Sequence, residues 1–249
     1  MTKNYLFDVL RDGFQCLTIP RSGRYRFEVI GASCSYYSPG ARIIGELGLE
    51  KGEKITVALG QRGSNWTSGN GGTFVVKENG TSDPQLLFVA GGAGFAYDNE
   101  DFSTACLSQS ASGNDKIGTS GVQKFFADDE NDFFCGGAGF LEGPVTDDLR
   151  KDCVAPKIYK DGLVGGFGIA EFGDSEGGFG GGGAYYGGAY YESGHEYYGA
   201  GGGYTGGGTQ TYPDGKCDGG GGGSFSIDKE AKFDHVHEEY GKCIITYLD

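Results

Sequence analysis

The chain opens with short stretches in which apolar and polar residues alternate. In "RYRFEVIG", Tyr25, Phe27 and Val29 fall on one side and Arg24, Arg26 and Glu28 on the other. That two-residue period belongs to a strand with one buried face. "GFQCLTI" precedes it across "PRSG", whose proline and glycine suit a turn, so the two stretches predict a hairpin. Pairing across that turn sets Phe14, Cys16 and Thr18 on the face of Tyr25, Phe27 and Val29, with Cys16 a small core residue. "ARIIGELGL", "EKITVALG", "GTFVVKE" and "QLLFVAGG" follow, separated by Gly, Asn or Asp turns. Short strands at this spacing predict a mainly β chain, an antiparallel sandwich or barrel.

The pattern changes at about residue 98. "DNEDF" and "ADDENDFF" read as solvated acidic loops, and "GPVTDDLRKDC" predicts a short helix with Thr146 as N-cap. From Leu163 to Gly223, 26 of 61 residues are glycine, so side-chain periodicity cannot organise this part. Strand character returns with "SFSI" and "GKCIITYL", which most simply re-enter the opening sandwich. The expected organisation is one domain. Residues 1–97 supply sandwich strands, 98–162 an acidic insertion, 163–223 a glycine-rich insertion and 224–249 the returning strands.

Glycine loses more freedom on folding than any other residue, so runs of it need a physical use. An extended polyglycine helix has three residues per turn and no internal hydrogen bonds. Its amides and carbonyls must find partners on neighbouring chains. Several such helices packed side by side satisfy one another, and any interior Cβ would hold the backbones apart. This use fits several separate runs better than one long tract. The runs are Gly180, Gly181, Gly182 and Gly183; Gly201, Gly202 and Gly203; Gly206, Gly207 and Gly208; and Gly219, Gly220, Gly221, Gly222 and Gly223. The alternative is a set of flexible loops between strands.

Composition narrows the partners. With 34 acidic against 20 basic residues the net charge is −14, which disfavours nucleic acid and anionic membrane surfaces. No apolar run approaches the roughly 20 residues that cross a bilayer. Seven cysteines, an odd number without any CxxC, lean towards reduced thiols and an intracellular setting. Two sequons, Asn65-Trp66-Thr67 and Asn79-Gly80-Thr81, point the other way, to an extracellular one.

Catalytic signatures are missing from the sequence. No P-loop spacing occurs, and "GGAGFA" after "LLFVA" imitates a dinucleotide fingerprint without a βαβ pattern around it. His235 and His237 would share a strand face but lack an evident third metal ligand. "DDENDFF" has neither the glycine nor the final glutamate of a calcium loop. The expectation is a non-enzymatic chain without cofactor or metal.

In order along the chain, "SGRYRFEVIGA", "GARIIGELGLEKGEKITVALGQRG", "GNGGTFVV", "LLFVAGGAGFAY", "GGFGGGGAYYGGA", "GGGYTGG", "GGGGGSFSI" and "YGKCIITYL" resemble the glycine-rich domain of the anaplastic lymphoma kinase and leukocyte tyrosine kinase receptors. The likeness runs from about Tyr5 to Leu248. It implies a jelly-roll-like, tumour-necrosis-factor-like β-sandwich carrying a bundle of polyglycine II helices. In those receptors the domain binds small helical cytokines outside the cell. The sequence contains no kinase or epidermal-growth-factor-like motif, so the resemblance implies the module and not the receptor pathway. The expected function is a protein-interaction or structural module with a rigid surface in a larger intracellular assembly. The alternative is an extracellular recognition domain for a cytokine or a glycan. Tyr185, Tyr186, Tyr190, Tyr191, Tyr197 and Tyr198, paired between glycine runs, are the candidate binding residues, because tyrosine offers broad contact area at low entropic cost.

Overall fold

A computed structural model describes residues 3–7, 13–34, 38–65, 67–80, 84–96, 100–121, 136–143, 154–170, 173–184, 186–187, 196–212 and 216–249. The expected helix capped by Thr146 and the "DDENDFF" loop lie outside these residues. Seven strands come first: β1 (Lys3–Leu6), β2 (Phe14–Thr18), β3 (Gly23–Ile30), β4 (Gly40–Leu49), β5 (Lys54–Ala58), β6 (Thr73–Glu78) and β7 (Gln85–Ala90). Six short ones follow: β8 (Phe167–Ala170), β9 (Gly173–Glu176), β10 (Tyr186–Gly187), β11 (Glu196–Tyr197), β12 (Thr209–Thr211) and β13 (Lys216–Gly219). The chain closes with β14 (Phe225–Ser226), β15 (Lys232–Val236) and β16 (Lys242–Tyr247).

Two antiparallel sheets, in the orders β1-β16-β3-β4-β15 and β14-β7-β6-β5-β2, enclose the main core. The last three strands thus return to the sheets of the first hundred residues, and β16 inserts between β1 and β3. Phe27 from one sheet meets Phe88 from the other with ring centroids 5.0 Å apart. Val29, Ile43, Ile55, Val57, Cys243 and Ile245 are buried in the same cluster.

The predicted hairpin across "PRSG" does not form. Both edges of β3 are occupied, by β4 and β16, so β2 crosses to the other sheet and pairs with β5. Its side chains follow: Ile19 plugs the crossing and is buried, while Cys16 is exposed and not a core residue. The turn at residues 50–53 makes a parallel crossing from β4 to β5. The two crossings are tied by Ile19 N–H to the Glu53 carbonyl (2.8 Å) and Gly52 N–H to the Ile19 carbonyl (2.8 Å).

The two sheets differ in a way their sequences record. The outer face of β3 and β4 carries Arg24, Arg26 and Glu46 to solvent, which gives alternation. At its centre the second sheet is buried on both faces, so β6 and β7 read as continuous apolar runs, "FVV" and "LFVA". Its second face holds Ala58, Phe74 and Val89 against Leu163, with Phe140, Tyr159, Tyr204 and Phe225 packed around them. The glycine-rich insertion therefore forms a third layer. It contains the mixed sheet β12-β13-β11-β10-β8-β9 and a set of glycine runs that, apart from Gly219 at the end of β13, lie outside any helix or strand.

Candidate functional site

The glycine runs are buried, and their backbone hydrogen bonds follow a period of three. Gly219 and Gly222 donate to Phe95 and Gly92 (both three residues apart), while Gly220 and Gly223 donate to Gly208 and Thr205. Gly69 and Gly72 donate to Gly183 and Gly180 in the same manner. Successive amides of one run point to different neighbours: Gly201 to the Gly220 carbonyl, Gly202 to Asn70 and Gly203 to Ala138. Each segment is thereby shared among several others, and buried peptide groups find partners without a sheet.

The spacing leaves no room for side chains. A Cβ on Gly201 would overlap the Gly92 carbonyl, one on Gly207 the Gly220 carbonyl and one on Gly222 the Gly202 carbonyl. At Gly221 it would run into Thr104 and Ala105. The lattice extends beyond the four runs named from sequence. Gly71, Gly91, Gly92 and Gly94, at the ends of β6 and β7, meet Phe179, Gly222, Gly71 and Gly219 in the same close manner. "GGAGFA" is thus part of this packing. One named run departs from the pattern: Gly180 and Gly181 have φ of +101° and +83°, so they form a turn and not an extended segment. Their amides both reach the carbonyl of Leu163, itself at φ 57° and fully buried.

Polar side chains tie the runs where glycine amides alone do not suffice. The Asn114 amide nitrogen donates to the Gly206 carbonyl (3.0 Å) and the Ser120 carbonyl (3.1 Å) from a buried position. The Asn70 amide reaches the Ala93 carbonyl at 3.0 Å. An aromatic seam joins the lattice to the sandwich: Phe74 stacks on Phe140 (6.2 Å), Phe140 meets Tyr159 (5.2 Å), and Tyr204 meets Phe225 (4.9 Å). Burial, with the nearby Glu78 charge, pushes the Tyr159 phenol up, so it stays neutral. Phe74 and Phe225 fall in stretches that read as strands, whereas Phe140, Tyr159 and Tyr204 did not stand out in the sequence because isolated aromatics carry no period.

Among the tyrosine pairs, Tyr198 is only 4% exposed and its ring lies 4.9 Å from that of Phe95, edge to face, beside Cys34 and Ala93. Tyr198 is thus a core ring. The backbones of Tyr186 and Tyr197 pair across β10 and β11. Their side chains, and Tyr185, Tyr190 and Tyr191, lie outside the described residues.

The remaining candidates separate. His235 lies on β15 and places Nε2 2.8 Å from the Ala105 carbonyl, whereas His237 follows the end of that strand. Among the described residues no group of three or more His, Cys, Asp or Glu side chains comes together as a metal site. Cys16, Cys34, Cys106 and Cys243 carry free thiols, and burial pushes the Cys243 thiol up. Of the sequons, Asn65 is folded on itself: its Oδ1 accepts from Thr67 Oγ1 (2.8 Å) and Ser68 Oγ (2.8 Å), while Asn79 is exposed at the β6–β7 turn. No protein-family model matches the chain, and no curated protein matches it either.

Proposed function

We propose that the protein is a non-enzymatic interaction module of the glycine-rich-domain type, in which a lattice of polyglycine II helices stiffens an insertion carried by a jelly-roll-like sandwich. The three-residue period of the glycine hydrogen bonds carries this reading. A chain with three residues per turn rotates each peptide group by about 120°, so successive amides address different neighbours. A lattice of that kind has little conformational entropy left to lose. Groups held at its rim are pre-ordered for binding, which lowers the cost of association. The tyrosine-rich segment between Tyr185 and Tyr197 is the natural contact, because Gly183 before it and Gly199 after it are hydrogen-bonded among the glycine runs. Its partner is another protein within a larger assembly, and free thiols at Cys16, Cys34, Cys106 and Cys243 favour a reducing compartment.

The test is affinity purification of the full chain from its native source beside a Tyr186→Ser/Tyr191→Ser/Tyr197→Ser variant, with Tyr198 left in place. Loss of a stoichiometric partner at unchanged melting temperature supports the reading. An unchanged partner with a lowered melting temperature would assign the tyrosines to shielding the lattice and overturn it.

A further inference from the structure

Among the described residues an asparagine or aspartate precedes glycine at Asn70-Gly71, Asn79-Gly80, Asp161-Gly162 and Asp218-Gly219. Such pairs carry a latent reaction. The backbone nitrogen of the glycine can attack the side-chain carbonyl carbon before it, because no Cβ on the glycine shields that nitrogen. The attack closes a cyclic imide and requires two freedoms. The side chain must swing over its own peptide, and the glycine nitrogen must give up its proton.

The fold withholds these freedoms unequally. Asn70 is 1% exposed; its Nδ2 donates to the Ala93 carbonyl (3.0 Å), and its Oδ1 accepts from Gly63 N–H (3.3 Å). The following Gly71 N–H is bonded to the Gln61 carbonyl at 2.9 Å. Asp218 is fully buried and accepts the Tyr212 hydroxyl (2.9 Å), and Gly219 N–H is bonded to the Phe95 carbonyl (2.8 Å). Asp161 is exposed, yet Gly162 N–H closes a short helical turn on the Tyr159 carbonyl (3.2 Å), and a carboxylate is a poorer electrophile than a carboxamide. Asn79 is placed differently. It and Gly80 follow Glu78, the last residue of β6, and both are exposed at the start of the β6–β7 connection. Gly80, at φ +69°, is a left-handed turn residue outside either strand.

We propose that Asn79 is a self-modification site, at which the chain converts its own carboxamide to an acid without an enzyme. Hydroxide takes the Gly80 amide proton, the nitrogen bonds to Asn79 Cγ, and the Cγ–Nδ2 bond breaks. Nδ2 leaves as ammonia, taking a proton from water. A second water then adds to either imide carbonyl. Opening at Cγ gives an aspartate, and opening at the main-chain carbonyl gives an isoaspartate whose backbone runs through Cγ. The sum is amide and water to acid and ammonia, with nothing oxidised or reduced. Either product sets a new carboxylate beside Glu78, at the end of the second sheet where Glu78 pairs with Lys54, and the isoaspartate also lengthens the turn. Asn70, which holds the Ala93 carbonyl among the glycine runs, is spared by its own burial. Conversion thus marks the age of the molecule without loosening the glycine packing, and it is independent of any partner.

The experiment incubates the intact chain in warm, mildly alkaline buffer beside a sample in denaturant. Peptide mass spectrometry reads amide-to-acid conversion at each asparagine, and a purified isoaspartyl methyltransferase with labelled S-adenosylmethionine reads isoaspartate. In the intact chain Asn79 should convert at least about tenfold faster than Asn70, which reacts only through local opening, and in denaturant the two rates should converge. Gly80→Ala should slow conversion at Asn79 by about tenfold, because a Cβ then shields the attacking nitrogen. If that change at positive φ lowers the melting temperature, the same comparison is read in denaturant, where the turn no longer matters. Equal rates at Asn70 and Asn79 in the intact chain overturn the proposal, and so does conversion of Asn79 in denaturant alone. Conversion that yields no isoaspartate, or that Gly80→Ala leaves unchanged, overturns the imide route and the proposal with it. A glycan on Asn79 in protein from its native source also overturns it, because the side-chain nitrogen is then occupied.

Discussion

In the sandwich, Phe27 and Phe88 fill the space between two sheets, and backbone pairing stays within each sheet. In the insertion, Gly201 lies against Gly92 and Gly222 against Gly202, and backbone pairing itself joins the segments. The first region tolerates many side chains of the right volume, because interior packing can adjust. The second tolerates hardly any, because its contacts are between peptide groups. Charge divides them as well. Residues 98–223 hold 20 acidic and 7 basic residues, a net −13, whereas the remaining 123 residues are close to neutral at −1. The sandwich has a conventional hydrophobic core, and the acidic part of the chain is joined to it through the aromatic seam.

The sharpest way to break this comparison is a pair of glycine substitutions. Gly221→Val forces a Cβ into Thr104 and Ala105 and should cost upwards of about 4 kcal/mol, into the range that few single substitutions reach. Gly48→Val, on β4 with nothing within 4 Å of the new Cβ, should shift stability by no more than about 0.5 kcal/mol. Gly113 would be a poor control: its φ is +71° and a Cβ would meet the Phe102 ring. Thermal melting measures both, and equal small shifts would mean that the runs are loops. Next in size, Phe140→Ala cuts the seam and should cost about 3 kcal/mol. Hydrogen exchange should then rise at Gly206, Gly207 and Gly208 before it rises in β3. Simultaneous loss in both regions would instead make them one cooperative unit.

Much of the first region was legible from side-chain period. β3 through β7 sit where the apolar patterns put them, and the continuous runs of β6 and β7 mark a sheet whose centre is covered on both faces. Pairing was less legible. β2 was assigned to β3 because they are neighbours in sequence, and only the distant β16, with Cys243 and Ile245 facing inward, reveals that β3 has no free edge. In the second region, the need for close backbone contact could be read from glycine alone, yet which run meets which could not. Glycine has no side chain to mark a face, so the positions of Asn70 and Asn114 and the seam rings carry information that no local pattern signals. Tyr198 looked like its neighbours in sequence, and its place in the core shows only in contacts distant along the chain, such as Phe95, about a hundred residues away.

Thiol chemistry sharpens the comparison with a smaller effect on stability. Under native conditions iodoacetamide should label Cys16 readily, whereas Cys34 and Cys243 should react only on unfolding, since both are buried. Mass spectrometry of the native and denatured protein reads the difference. Prompt native labelling of Cys243 would show that the sandwich core opens easily. The smallest effect lies on the solvent face of the first sheet. Arg42, bonded through Nε to Asp234 Oδ1 at 2.7 Å, holds that carboxyl below its usual range. Such a carboxylate stabilises the fold above its unfolded-state pKa, and the contribution is lost as pH falls through the lower folded-state value. Asp234→Asn should therefore cost less than about 1 kcal/mol at neutral pH, with the gap from the parent closing in acid. Denaturant titrations across that range check the sign.

The three-residue hydrogen-bond period also gives the insertion something like a reading frame. Adding or removing three residues within a run returns each following amide to the neighbour it faced before. Adding one or two turns all of them towards the wrong neighbour, leaving donors such as Gly219, Gly220 and Gly222 aimed away from Phe95, Gly208 and Gly92. Length change within such a run is therefore expected in steps of three.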